Sequence, residues 1–138
     1  MAGMSDDPIA RSIETQVRLA RAAVENLRPA DLAAELASGD MVLVDVREPD
    51  ELSHGTIAGA MNVPRGVIEF AADPRRPARR TDLDPRRRVV VFSETGSRSA
   101  LVVHALYRLG YRDVAHLEGG LAAWVADGRP VVARSVIG

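Results

Sequence analysis

Two short runs, Met41–Val46 and Val89–Phe92, are apolar throughout except for Asp45, and they limit what this chain can become. Each is strand-sized. Neither shows the regular polar alternation of a strand with one wet face, so both ask for burial on two sides. Helical patterns follow them. Ser97–Leu109 gathers Leu101, Val102, Ala105, Leu106 and Leu109 on one face and stops at Gly110. Asp113–Leu117 reads as a further strand, and Gly120–Ala126 as a last helix ended by Gly128. Such alternation predicts an α/β domain on a parallel sheet with helices on both faces. A chain of 138 residues has room for one domain of this kind and for a substantial core.

The smaller elements complete the order. Asp7 is expected to cap a first helix that starts at Pro8, where Ile9, Ile13, Val17, Ala20, Val24 and Leu27 recur three or four residues apart. Its apolar stripe calls for cover, from the same domain or from a second copy in a dimer. Arg28-Pro29 breaks it, which sets a helical extension, 1–28, apart from the main domain, 29–138. Pro29–Leu36 reads as a second helix ending near Gly39, and Glu48–Leu52 and Val67–Ala71 as helical turns. Gly55 and Gly59 flank a loop that leads into the extended stretch Met61–Val63.

Composition removes several kinds of chemistry. All basic residues are Arg, so a lysine Schiff base and a phosphate-loop lysine are excluded. There is no cysteine, which excludes disulfides, thiolate metal sites and a thiol nucleophile. A net charge of −1 gives no case for nucleic acid or an anionic membrane as partner. The start, Met1–Pro8, lacks the basic flank and apolar run of a signal peptide, and the apolar runs are too short to span a bilayer. A cytoplasmic location is expected. Residues 65–88 hold 8 Arg against 4 acids, whereas residues 1–64 hold 5 against 11. That segment reads as a solvated loop or as a basic rim for an anionic substrate or an acidic partner.

In an open parallel sheet, ligands bind beyond the carboxyl ends of the strands. Ser93-Glu94-Thr95-Gly96-Ser97-Arg98-Ser99 occupies that position, between a strand and a helix N-terminus. Converging backbone N–H groups, the positive end of the helix dipole, the permissive Gly96 and the guanidinium of Arg98 predict an anion cradle with Ser93 at its base. The same residues also fit a plain strand-to-helix connection with capping serines.

Several motifs in order resemble the rhodanese family, from about Pro29 to Val131. They are Val44-Asp45-Val46-Arg47-Glu48-Pro49; Gly55-Thr56-Ile57-Ala58-Gly59-Ala60; Asn62-Val63-Pro64; Leu109-Gly110-Tyr111; Val114-Ala115-His116-Leu117-Glu118-Gly119-Gly120; and Ala123-Trp124. The resemblance implies a rhodanese-like α/β domain with a central parallel sheet of about five strands. It implies sulfur transfer from a small anionic donor, thiosulfate or a persulfide, to a thiophilic acceptor such as cyanide or a protein thiol. In that scheme position 93 carries the sulfur, the N–H groups of 94–98 hold the anion, Arg98 orients the loop, and Arg47 and His54 stand at the mouth. No metal or organic cofactor is implied. Four residues separate Ser93 from Arg98, as in sulfur-carrying loops, where the related phosphatases have five.

The departure is Ser93, where the family has cysteine. A thiol of pKa about 8.5 gives a thiolate near neutral pH, and more readily at a helix N-terminus. A serine hydroxyl does not, and it cannot hold a stable persulfide, so this chain is expected to be inactive. Two explanations stand: a natural non-catalytic module that binds an anion or a partner protein, or a Cys-to-Ser form of an active sulfurtransferase. For Ser93 to act as a nucleophile itself it would need a base. Among the histidines, His54 in the turn before Gly55 is the best placed, while His104 and His116 read as hydrogen-bonded packing residues; no two share a metal-ligand spacing. No G-x-S-x-G elbow is present. Asp45 and Arg47 read as an ion pair or as charge at the mouth, Glu94 as a side chain turned to solvent, and Trp124 as core.

Overall fold

The computed structural model describes residues 8–133. Five parallel strands form one sheet in the order β1-β5-β4-β2-β3, with β1 Glu25–Leu27, β2 Val42–Asp45, β3 Met61–Asn62, β4 Val89–Phe92 and β5 Val114–Leu117. The two apolar runs become β2 and β4, adjacent and wholly buried. Successive side chains of β4 serve opposite faces, as the strand period requires. Val89 and Val91 join the core beneath α3 (Arg65–Ala72) and α4 (Ser97–Leu109), and α1 (Ile13–Ala23) packs on α4. Val90 and Phe92 join Leu32 of α2 (Pro29–Ser38) and Leu121 and Trp124 of α5 (Gly120–Ala126). Trp124 is core, and its indole N–H donates to Pro130 O at 2.8 Å.

The helices at 29–38, 97–109 and 120–126 end where glycine or proline punctuation predicts, with Gly39 and Gly110 left-handed at their C-caps. The first helix differs. Its expected cap, Asp7, lies outside the described residues. Ser12 is the N-cap, accepting from Thr15 N–H at 3.1 Å, and the helix stops at Ala23. Val24 turns extended, and Glu25–Leu27 pairs with β5 instead of continuing the helix. Sheet pairing wins over the apolar spacing, because Val24 and Leu27 are buried just as well from a strand. In the N-terminal half of the stripe, Ile9 is 85% and Ile13 51% exposed. Segment 1–28 therefore supplies an edge strand as well as a helix. The arginine-rich stretch 73–88 is mostly exposed loop, and Asp73–Arg75, Arg80–Asp82 and Asp84–Arg86 neutralise one another locally. No helix among the described residues is long and apolar enough to cross a membrane.

Candidate functional site

β2 and β4 are neighbours, yet the chain leaves them in opposite directions, toward β3 from one and toward β5 from the other. Open α/β sheets bind ligands at such a switch point. The loops flanking it are 46–55 and 93–96.

Ser93 follows β4 directly and is 1% exposed. The loop turns around its side chain: the N–H groups of Gly96 and Ser99 both donate to Ser93 Oγ at 3.2 Å, and the Ser93 hydroxyl donates to Ser99 Oγ at 3.3 Å. Gly96, with φ +97, is the N-cap of α4, and a Cβ there would lie 3.1 Å from Gly119 N. The loop carbonyls point the other way, into the start of α5, where Leu121 and Ala122 N–H donate to Ser93 O and Glu94 O at 2.9 and 3.0 Å. Gly120 permits that approach, since at φ +63 any Cβ would sit 2.5 Å from Ser93 O. Carbonyls outward and N–H groups inward suit an electron-rich atom at position 93, beside the positive end of the α4 dipole. The serine hydroxyl itself fills that place.

Two ion pairs cross the switch point. Arg98 donates to both carboxylate oxygens of Glu51 at 2.6 and 2.8 Å, tying α4 to the 3-10 helix Pro49–His54. The Arg98 hydrogen bond pulls the Glu51 carboxyl down to about 2 from an ordinary 4.5. Arg98 thus faces Glu51, which neutralises its charge, rather than an open anion site. Arg47 is the second link, and here the sequence expectation is corrected. It is 1% exposed and buried under the mouth, not lining it. Its guanidinium grips Asp45 at 2.8 to 3.2 Å and donates to Glu51 O, Gly55 O and Glu94 Oε1 at 3.0, 2.8 and 3.3 Å. Burial alone would lower its pKa, but the hydrogen bonds and charge of Asp45 outweigh that and raise it. Thr56 completes the cluster by donating to Asp45 Oδ2 at 2.9 Å. An arginine there without Asp45 would be a costly buried charge, which is why it packs inward as a pair.

Glu94 is only partly turned to solvent: its side chain is 45% exposed and leans on Arg47. Thr95 and Ser97 are exposed at the loop rim. His54 is exposed, 3.1 Å from Ser53 Oγ, and makes no hydrogen bond to the loop. His104 is exposed on α4 rather than packed, because its position falls on the solvent side of the helix. His116 is buried and hydrogen-bonded, and it reaches the site through Ser99, with Nδ1 3.0 Å from Ser99 Oγ and Nε2 2.6 Å from Asn26 Oδ1. Sequence reasoning missed Asn26 and Glu51. An unpaired Arg98 was a signal for an acid in the facing turn; Asn26 gave none, since it lay in a presumed helix. No group of His, Cys, Asp and Glu among the described residues is placed to hold a metal ion.

The Rhodanese-like domain profile matches residues 28–127. The chain belongs to the rhodanese-like domain family. A sulfurtransferase of Allochromatium vinosum is 35% identical over 94 residues, which is 68% of this chain and 80% of that one. The probable adenylyltransferase/sulfurtransferase MoeZ of Mycobacterium tuberculosis is 32% identical over 75% of this chain, which spans only 25% of that longer protein. Among solved structures, a protein of unknown function from Rhodopseudomonas palustris, described as a possible tyrosine phosphatase, superposes with a TM-score of 0.84 at 35% identity, covering 91% of this chain and 98% of that one. The polysulfide-sulfur transferase homodimer of Wolinella succinogenes superposes at 0.72 with 32% identity over 98% and 96% of the two chains. This rhodanese-like domain therefore has sulfurtransferases among its relatives, and it has no cysteine of its own.

Proposed function

We propose that this rhodanese-like domain is a sulfurtransferase scaffold whose sulfur-carrier position is filled by Ser93, so that the chain as it stands carries no persulfide. The observation behind this reading is the inward pair of N–H groups, from Gly96 and Ser99, closing on the Ser93 side chain. With a thiolate in that place, its sulfur attacks the sulfane sulfur of thiosulfate. The S–S bond breaks, sulfite leaves with the electron pair, and a persulfide remains, its charge facing the loop. A thiophilic acceptor such as cyanide or a protein thiol then takes the outer sulfur and regenerates the thiolate. A hydroxyl supports neither step. The second reading is a non-catalytic module that binds an anion or a partner protein, and it is favoured by the same hydroxyl: Ser93 Oγ accepts two hydrogen bonds from the loop and donates one, its full capacity. Phosphate-ester chemistry is disfavoured by the four-residue spacing and by the engagement of Arg98 with Glu51.

The deciding experiment is the Ser93→Cys variant in a thiosulfate:cyanide assay. We expect thiocyanate from the variant and none from the unaltered chain. A folded but inactive variant would favour the binding module, and activity of the serine form would overturn the persulfide argument. As for partners, pairing of two copies through α1 belongs to the same reading. Leu19 is 55% exposed beside a groove of about 360 Å³ between α1, α3 and α4, and the Wolinella relative is a homodimer.

A further inference from the structure

A polar chain leads from buried Ser93, through buried Ser99 and His116, to Asn26, which is exposed on the edge strand β1. The direction of its protons follows from Asn26. Asn26 Nδ2 lies 2.9 Å from Arg21 O and 3.0 Å from Val24 O, both pure acceptors, so Oδ1 is the atom that faces His116. Oδ1 can only accept. His116 Nε2 therefore bears hydrogen, and Nδ1 is bare. The ring stays neutral, its pKa pushed down to about 4 by burial first and then by the charge of Arg21, which is itself paired with Glu118. Bare, buried Nδ1 needs a donor, and the Ser99 hydroxyl is the one in reach. Gly96 O, 3.1 Å from Ser99 Oγ, is a second acceptor for the same proton, but it already has a donor in Ala100 N–H, whereas buried Nδ1 has no other donor in reach among the described residues. Ser99 thus gives its proton to His116 and turns a lone pair toward position 93, which must then donate.

We propose that Asn26, acting through His116 and Ser99, is a positioning residue that turns the hydrogen of the group at position 93 toward Ser99 and so, for a thiol there, disfavours the thiolate. This rests on the sulfur-carrier reading of position 93 and adds a device from outside the family-matched segment 28–127. Its mirror image is easily made. In Asn26→Asp a carboxylate faces Nε2 and favours the imidazolium. Nδ1–H then donates to Ser99 Oγ, and Ser99 releases its own proton toward position 93. A thiolate there gains a third donor beside the Gly96 and Ser99 N–H groups. The groups facing His116 are Asn26 of β1, Arg21 of α1 with its partner Glu118, and Ser99 of α4, while β4 contributes the apolar Val91.

The test is made in the Ser93→Cys chain, following the rate of alkylation by iodoacetamide against pH. Adding Asn26→Asp should raise the acid dissociation constant of the introduced thiol about tenfold or more. Adding Ser99→Ala as well should remove that difference, because the bridging hydroxyl is gone. A thiol titration unchanged by Asn26→Asp, in a folded protein whose His116 does titrate higher, overturns the proposal. Imidazole ¹⁵N shifts in the unaltered chain give a check that needs no variant: the Nε2–H tautomer is expected, and Nδ1–H contradicts the relay outright. Alkylation does not depend on thiocyanate production, so a variant without sulfurtransferase activity leaves this test intact.

Discussion

His116 links the site to the stability of the fold. In the folded chain its pKa is pushed down to about 4 by burial and then by Arg21, against 6.5 in an open chain. Between those values the unfolded state binds a proton that the folded state refuses, so stability falls as the pH drops from about 6.5 to about 4 and then levels off. At pH 5 the loss should be about 2 kcal/mol relative to pH 7. Urea titrations at the two pH values measure it. His116→Gln should flatten this part of the profile, and an equal acid loss in that variant would contradict the assignment. Part of this scale was readable in the sequence: the strand-to-helix context brings Gly96 and Ser99 around Ser93, whereas the turn of Arg98 toward Glu51 was not. Asn26 was not readable, because it meets His116 only through the pairing of β1 with β5, 90 residues away.

The elements that meet at the switch point are joined by long side chains. Arg98 at the start of α4 and Glu51 in the 3-10 helix hold the two loops together, each about one-third exposed. The depressed carboxyl of Glu51 means that this link is complete above pH 4.5 and is lost as the pH falls toward about 2. Glu51→Gln should leave a cooperative fold, with a cost of about 1 kcal/mol or less. It should also speed amide hydrogen exchange in residues 94–98 several-fold; protection unchanged from the parent would show that the pair does not brace the loop. β4 and α4 follow the sequence pattern to the residue, since continuous apolar runs and glycine stops are strong local signals. α1 did not follow it. The 3- and 4-residue spacing at Ala20, Val24 and Leu27 cannot tell a helix from a helix that hands its last apolar residues to a sheet edge.

Across the whole molecule, Arg88 fastens the end of the sheet remote from the site, meeting Glu25 of β1, Glu35 of α2 and Asp113 before β5 at 2.7 to 3.1 Å. The edge strand is thus anchored to the body. The exposed side of α1 is the surface proposed above for pairing with a second copy. Sedimentation should find a dimer, and Leu19→Glu should convert it to a monomer without loss of helix content; a parent that sediments as a monomer at high micromolar concentration contradicts the pairing. The central claim, that a sulfur-carrier loop persists around a serine, has a more direct measurement. Ser93→Cys is mixed with thiosulfate, separated from it and weighed intact by mass spectrometry beside the unaltered chain. One added sulfur on position 93 of the variant, released by cyanide and absent from the serine form, is the predicted result; a folded variant that gains no sulfur contradicts it.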